Sequence, residues 1–243
     1  MHAIILGAGQ GKRLLPLTSD RPKNTIKLGH QSMLAWQVGA FVKAGFDRFT
    51  IVTGFMANHV EDELDRLRCV YPKCEFGTVF NPFYSVADNL VSCWIAREQM
   101  DRRFVLVNGD TVFHHSVLEK LLSSKNAPIT LAVDRKDVYD EDDMKVHLDG
   151  TRLVEIGKDL PADRVNAESI GMLYFRDEGP AIFKGMLEKI LAADGGLGIW
   201  YLSAIGAIAQ RYEVQTQLIQ NLEWCEVDFP KDRLQGEDMV GRW

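Results

Sequence analysis

The chain of 243 residues has only four cysteines and eight prolines. Cys69, Cys74, Cys93 and Cys225 form no CxxC pair and have no histidine nearby at metal-ligand spacing, so they give no metal-binding pattern. They read as free thiols of a reducing cytosol, with a Cys69–Cys74 pairing left open by closeness in sequence. No stretch approaches the ~20 consecutive apolar residues of a membrane span. The one early apolar run, residues 3–8, is too short for the core of an export signal. Positive charge is not in excess either. The 28 basic side chains stand against 34 acidic ones, a formal net charge of −6, which argues against non-specific nucleic-acid binding. A local basic loop remains suited to a small phosphate compound. With 46% apolar and 26% charged residues, the composition is that of a globular protein and excludes disorder, collagen and coiled coil. At ~150 residues per domain the length fits one to two domains, or one large α/β domain. A chain of this size buries roughly three quarters of its unfolded surface and needs no disulfide staple.

Hydrophobic periodicity changes along the chain. Residues 3–6 read as a short buried strand followed by a glycine-rich turn. Residues 33–44 place Leu34, Val38, Phe41 and Val42 at helical spacing. Strands are expected at 48–53, 75–80 and 103–107, and helices at 58–67 and 86–100. This alternation implies parallel strands with crossover helices. Later come short strands at 129–133, 145–148, 153–156 and 170–175, helices near 181–193 and 202–210, a last strand at 224–227 and a charged tail. The expected fold is a single doubly wound, Rossmann-like α/β domain over residues 1–243. Its sheet is mixed and mostly parallel, with a small β extension walling the ligand site. In such sheets ligands bind beyond the carboxyl ends of the strands.

The most informative segment is Leu6-Gly7-Ala8-Gly9-Gln10-Gly11-Lys12-Arg13. Alternating glycines allow tight turns and bring backbone N–H groups close to an anion. The dinucleotide fingerprint requires glycine where Lys12 stands, and the Walker loop requires four residues between its glycines, then Lys and Ser/Thr. The loop is therefore a phosphate cradle of a third kind, or a plain βα turn with solvated basic residues.

The continuation favours the cradle. Gly7-x-Gly9-x-Gly11-x-Arg13-Leu14-x-Pro16-Leu17-Thr18, followed by Arg21-Pro22-Lys23, resembles the signature of the nucleotidylyltransferases, which activate sugar phosphates and alcohol phosphates with a nucleoside triphosphate. The resemblance implies that residues 7–11 wrap the nucleotide through their backbone. It implies Arg13 on the β- and γ-phosphates and Lys23 on the α-phosphate as catalytic residues. Leu6, Gly7, Ala8, Gly9, Gln10, Gly11, Lys12 and Gly109 are the nucleotide-side candidates.

Val107-Asn108-Gly109-Asp110-Thr111 ends the most apolar strand. A carboxylate at that edge suits Mg²⁺, which takes one or two protein carboxylates plus phosphate oxygens and waters. Asp110 is the candidate ligand, as the strand-end Asp of the similar proteins is. In Trp224-Cys225-Glu226-Val227-Asp228, Glu226 and Asp228 share a face. This segment and the Asp-Leu stretch after it resemble the closing part of the same family, which implies Asp228 as the second metal ligand and Glu226 as a weaker one. Asn81-Pro82-Phe83-Tyr84, then Asp88-Asn89 and Ser92, resembles the base-side segment of phosphocholine cytidylyltransferases, with Asp88 in place of the first Asn of a pair. Asn81, Asn89 and Ser92 are the base-side candidates, and the asparagines also suit caps and turns.

On the acceptor side, Lys145 and Lys158 are candidates for a phosphate or phosphonate, Glu168 for an amine or sugar hydroxyl, and Trp200 and Tyr201 for a quaternary ammonium on an aromatic face. His114 and His115 read as loop and helix-start residues. The expected activity is Mg²⁺-dependent transfer of CMP from CTP to phosphocholine or a similar small phosphate or phosphonate. A sugar-1-phosphate enzyme using UTP or dTTP shares the catalytic set. A non-catalytic nucleotide-binding module would lack Arg13, Lys23 or Asp110, all of which are present.

Overall fold

A computed structural model describes all 243 residues. The strands and helices, in chain order, are β1 (His2–Leu6), β2 (Lys27–Leu28), β3 (Gln31–Ser32), α1 (Met33–Lys43), β4 (Arg48–Thr53), α2 (Ala57–Val70), β5 (Glu75–Phe80), α3 (Asn89–Ile95), β6 (Phe104–Asn108), β7 (Thr111–Phe113), α4 (His115–Leu122), β8 (Ile129–Asp134), β9 (Lys145–Asp149), β10 (Arg152–Gly157), β11 (Ala167–Phe175), α5 (Gly179–Leu191), α6 (Tyr201–Ala209), β12 (Val214–Leu218), β13 (Trp224–Glu226) and α7 (Pro230–Val240). The class is α/β with a mixed sheet, as the periodicity predicts.

The chain forms two compact units. The first comprises Met1–Ser85, Val107–Glu119 and Leu222–Trp243, and the second Val86–Leu106 and Lys120–Asn221. In the first unit the strand order is β5-β4-β1, continued by the end of β6. β1, β4 and β5 run parallel, with Ile5 opposite Ile51 and Ile51 opposite Thr78. The residues of β1 are buried throughout, as befits a parallel strand covered on both faces. Helix α1 starts where the Ser32 hydroxyl accepts the Ala35 N–H at 3.0 Å, an N-cap that satisfies one otherwise orphaned donor. A separate cluster of Leu14, Ile26, Leu28, Met33, Val112, Cys225, Val227, Met239 and Val240 packs the segment after the glycine-rich loop against β13 and α7.

In the second unit the order from β6 is β11-β8-β12-β10-β9, and β11 also pairs with β9. β12 is parallel to β8, whereas β11 on β8, β10 on β12 and β9 on β10 are antiparallel. Gly171 has φ +67° within β11, where the pairing with β8 shifts register between Ser169 and Leu173. The Ser169 hydroxyl accepts the Gly171 N–H at 3.1 Å, so glycine permits the bulge and serine stitches it.

Several elements differ from the sequence reading. The strands β2, β3, β7 and β12 were not anticipated. The charged tail is helix α7, whose buried residues are Gly236, Met239 and Val240. The helix expected over 86–100 begins at Asn89 and tightens into a 3₁₀ turn at Ala96–Gln99. All four cysteines are free, and burial pushes the Cys225 thiol up to about 12, which keeps it unreactive. No helix is long and apolar enough to cross a membrane.

Candidate active site

The glycine-rich loop leaves the buried end of β1 already tied to its neighbours. Gly7 N–H donates to the Val52 carbonyl at 2.9 Å, and Phe55 N–H donates to the Ala8 carbonyl at 3.0 Å. Gly11 has φ +73°, and a Cβ there would lie 2.9 Å from Lys23 Cβ, so conformation and space both demand glycine. Gly9 meets nothing within 4 Å of an added Cβ, leaving the middle of the loop open. A 3₁₀ turn at Lys12–Leu14 then buries Leu14 and leaves Lys12 and Arg13 exposed. The Thr18 hydroxyl folds the segment back by donating to the Gly11 carbonyl at 2.9 Å.

Four charged side chains converge here within the first unit. Lys23 Nζ donates to Asp110 Oδ2 at 2.8 Å and to Asp228 Oδ1 at 2.5 Å. Arg13 reaches Asp228 Oδ2 at 2.8 Å, and its guanidinium lies 5.0 Å from the Phe229 ring centroid. Burial disfavours charge on Lys23, but Asp110 and Asp228 outweigh it and hold the ammonium above the ordinary lysine value. Burial likewise opposes ionisation of Asp228, and Lys23 and Arg13 overcome it to hold the carboxyl below its usual value. Both shifts favour the charged forms of Lys23 and Asp228. Asp110 Oδ1 is buried with no hydrogen-bond partner.

Asp228 lies two residues past β13, which pairs antiparallel with β7 through Glu226 opposite Thr111. Val227 N–H donates to the Asp110 carbonyl at 3.1 Å. This hydrogen bond joins the two carboxylate segments, 118 positions apart in the chain. Sequence reasoning missed Asp232, whose Oδ2 accepts the N–H groups of Asp228 at 3.0 Å and Phe229 at 2.8 Å and so sets the backbone that carries Asp228. The local signal was an acidic residue in the first turn of α7, where the helix N-terminus favours negative charge. Gly109 N–H donates to the Leu6 carbonyl at 2.9 Å, and a Cβ on Gly109 would fall 2.6 Å from that oxygen. The strand-end turn and the glycine loop therefore touch backbone to backbone.

The base-side candidates are engaged differently. Asn81 is buried, and its Oδ1 accepts the Phe83 N–H at 2.8 Å, the turn role left open by the sequence. In the second unit, Asn89 Oδ1 accepts the Tyr201 N–H at 3.0 Å and so caps α6, and Ser92 is buried on α3.

The acceptor-side candidates lie in the second unit. Lys145 Nζ donates to the Lys158 carbonyl at 2.9 Å. Lys158 Nζ lies 3.5 Å from Asp142 and 4.9 Å from the Trp200 ring centroid. The aromatic pair separates. Trp200 is 39% exposed, whereas Tyr201 is wholly buried and its hydroxyl donates to the Gly171 carbonyl at 3.2 Å. Tyr201 is therefore a core residue and not part of an ammonium-binding wall, because the first turn of α6 points it inward. Glu168, expected to meet an acceptor amine, already faces the chain's own ammonium. Lys136 Nζ lies 3.0 Å from Glu168 and 2.6 Å from Asp143. Burial raises the Glu168 carboxyl to about 7, with Lys136 opposing and Asp143 adding to the rise. Lys136 was missed because it sits in a charged loop whose partner is 32 residues away. His115 opens α4 and His114 precedes it, as read.

A family model described as nucleotidyl transferase matches residues 2–143. The chain belongs to that family. Similar proteins agree over most of its length. A CTP:phosphoglutamine cytidylyltransferase of Campylobacter jejuni is 24% identical, over 96% of this chain and 97% of the relative. A CMP-5'-(3-aminopropyl)phosphonate synthase of Streptomyces rubellomurinus is 28% identical over 98% of this chain, which spans 38% of that larger protein. Among solved structures, an inositol-1-phosphate CTP transferase from T. maritima superposes with a TM-score of 0.82 at 24% identity, covering 98% of this chain and 95% of that one. This likeness shows that the nucleotidyl transferase has the fold of such enzymes.

Proposed function

We propose that this nucleotidyl transferase moves CMP from CTP to a small phosphorylated or phosphonate alcohol of the phosphocholine kind and releases pyrophosphate. The observation that carries the reading is the convergence of Arg13, Lys23, Asp110 and Asp228 beside an open glycine loop. The choice of CTP and of a small phosphate or phosphonate acceptor rests on the names of the similar proteins, together with the segment from Asn81 to Ser92.

Mg²⁺ fits the residues present. Asp110 carries a buried, unpartnered oxygen, and Asp228 shares Lys23 with it. No group of three or more His, Cys, Asp or Glu forms a protein cage, and two carboxylates suffice for an ion whose other ligands are phosphate oxygens and water. Asp110 and Asp228 would hold it, and there it would supply positive charge to the triphosphate. The acceptor phosphate is ionised at neutral pH, so the chain supplies no general base. It contributes placement and charge. Lys23 exchanges a carboxylate partner for the α-phosphate, whose negative charge takes over the carboxylate's part in favouring the ammonium. Arg13 steadies the pyrophosphate as it departs in line with the attacking oxygen.

The test is pyrophosphate release with each of four nucleoside triphosphates, crossed with phosphocholine, aminoethylphosphonate, hydroxyethylphosphonate and sugar 1-phosphates. The expected result is turnover with CTP and a small alcohol phosphate or phosphonate. Preference for UTP or dTTP with a sugar 1-phosphate would overturn the substrate reading.

A further inference from the structure

Helix α1 carries one glutamine in an otherwise apolar inner face, and it is fully buried. Gln37 Nε2 donates to two main-chain carbonyls, those of Asn108 and Thr111, each at 2.7 Å. These carbonyls bracket the Gly109-Asp110 turn between β6 and β7. The carboxamide thus closes the turn from below with both of its N–H groups, while its Oε1 has no partner. Leaving an acceptor buried and unpaired is costly, and an apolar side chain of the same size would avoid that cost. A buried amide earns its place here through its two donors.

The other restraints on the turn are also main-chain bonds, from Gly109 N–H to the Leu6 carbonyl and from Val227 N–H to the Asp110 carbonyl. Asp110 is therefore aimed by its backbone, with Lys23 Nζ on its Oδ2, and its Oδ1 is left unpartnered. We propose that Gln37 is a positioning residue of the nucleotidyl transfer site, presenting Asp110 to the divalent cation that accompanies the nucleotide. This rests on Asp110 being a metal ligand. Outer-shell partners of metal ligands typically change metal affinity by about 10- to 100-fold when removed.

The test is titration of Mn²⁺ by electron paramagnetic resonance, in the presence of the triphosphate the wild type uses and with no acceptor. Thermal unfolding is measured in parallel. Gln37→Met is expected to weaken Mn²⁺ binding about tenfold, and to raise the Mg²⁺ concentration for half-maximal rate by a similar factor with a smaller change in kcat. Gln37→Asn, which keeps both donors one methylene short of the carbonyls, is expected to fall between wild type and Gln37→Met, and it serves the test if Gln37→Met does not fold. Val38→Ala, at a buried position of the same helix, is expected to lower thermal stability and leave Mn²⁺ affinity unchanged. Unaltered Mn²⁺ affinity in the folded Gln37 variants, or equal loss in Val38→Ala, would overturn the proposal. Failure of the wild type to bind Mn²⁺ at Asp110, seen as an affinity that Asp110→Asn does not change, would instead overturn the metal-ligand reading beneath it.

Discussion

Asp228 and Glu168 are both carboxylates withdrawn from water beside a lysine, yet they titrate in opposite directions. Burial raises both. At Asp228 the ammonium of Lys23 and the guanidinium of Arg13 reverse it. At Glu168 the single ammonium of Lys136 is divided with Asp143, and the carboxyl stays at about 7. The first cluster balances Arg13 and Lys23 against Asp110 and Asp228. The second sets one cation against two carboxylates. A buried acid is governed by the number of cations around the cluster, more than by whether it touches one. In the balanced cluster Asp228 is held as the carboxylate, and in the unbalanced one Glu168 takes up a proton near neutral pH.

Removing a cation from each cluster probes this difference. Lys23→Ala is expected to lower kcat by about 10³-fold, since charge placed at a developing anion is usually the largest catalytic contribution. Nucleotide binding, followed by calorimetry, should weaken far less. Turnover equal to wild type would remove Lys23 from its role. Lys136→Met leaves Glu168 and Asp143 facing each other without a cation. It is expected to destabilise the protein at pH 8 by about 1–2 kcal/mol, discounted for the partial exposure of the lysine. The loss should shrink toward pH 5, and urea unfolding at the two pH values measures it.

Glu168→Gln has the smallest expected effect and tests the comparison most directly. The folded protein holds a proton on Glu168 that the unfolded chain releases near 4.5, the ordinary value for glutamate. The stability this contributes is full below 4.5 and is lost as pH rises through about 7. Asp228 behaves conversely: its contribution is present above 3.8 and is lost as pH falls toward its lowered folded value. Glu168→Gln should flatten the stability profile between pH 4.5 and 7 and leave the acid limb intact. An unchanged slope in that window would assign it to another group.

Features encoded within a few residues were legible in the sequence. β4 and β5 have their predicted bounds, because each is a short β-rich run bounded by turn residues. The glycine loop was legible because its spacing lies within a few residues, and the positive φ of Gly11 is a local demand for glycine. Elements whose reasons lie elsewhere in the fold were not. β12 alternates Val214, Thr216 and Leu218 with two glutamines, a period-2 run of five residues with little apolar content, and it pairs in parallel with β8. Gln37 drew no reading from the sequence, since its reason is a turn more than seventy residues away. Tyr201 looked like a ligand wall because Trp200 precedes it, yet which of two adjacent aromatics faces inward is decided by the angle at which α6 starts.

The pairing of β13 with β7 has a consequence for the order in which the molecule comes into being. As the chain leaves the ribosome, Lys23 and Asp110 are made early, and Asp228 arrives 205 positions after Lys23. Until β13 docks, Lys23 has one carboxylate instead of two, Arg13 lacks its anchor, and the Asp110 turn lacks the Val227 donor. The charged centre is thus complete only once a contact between residues 205 positions apart has formed, a closure that costs more chain entropy than the local folding of the glycine loop.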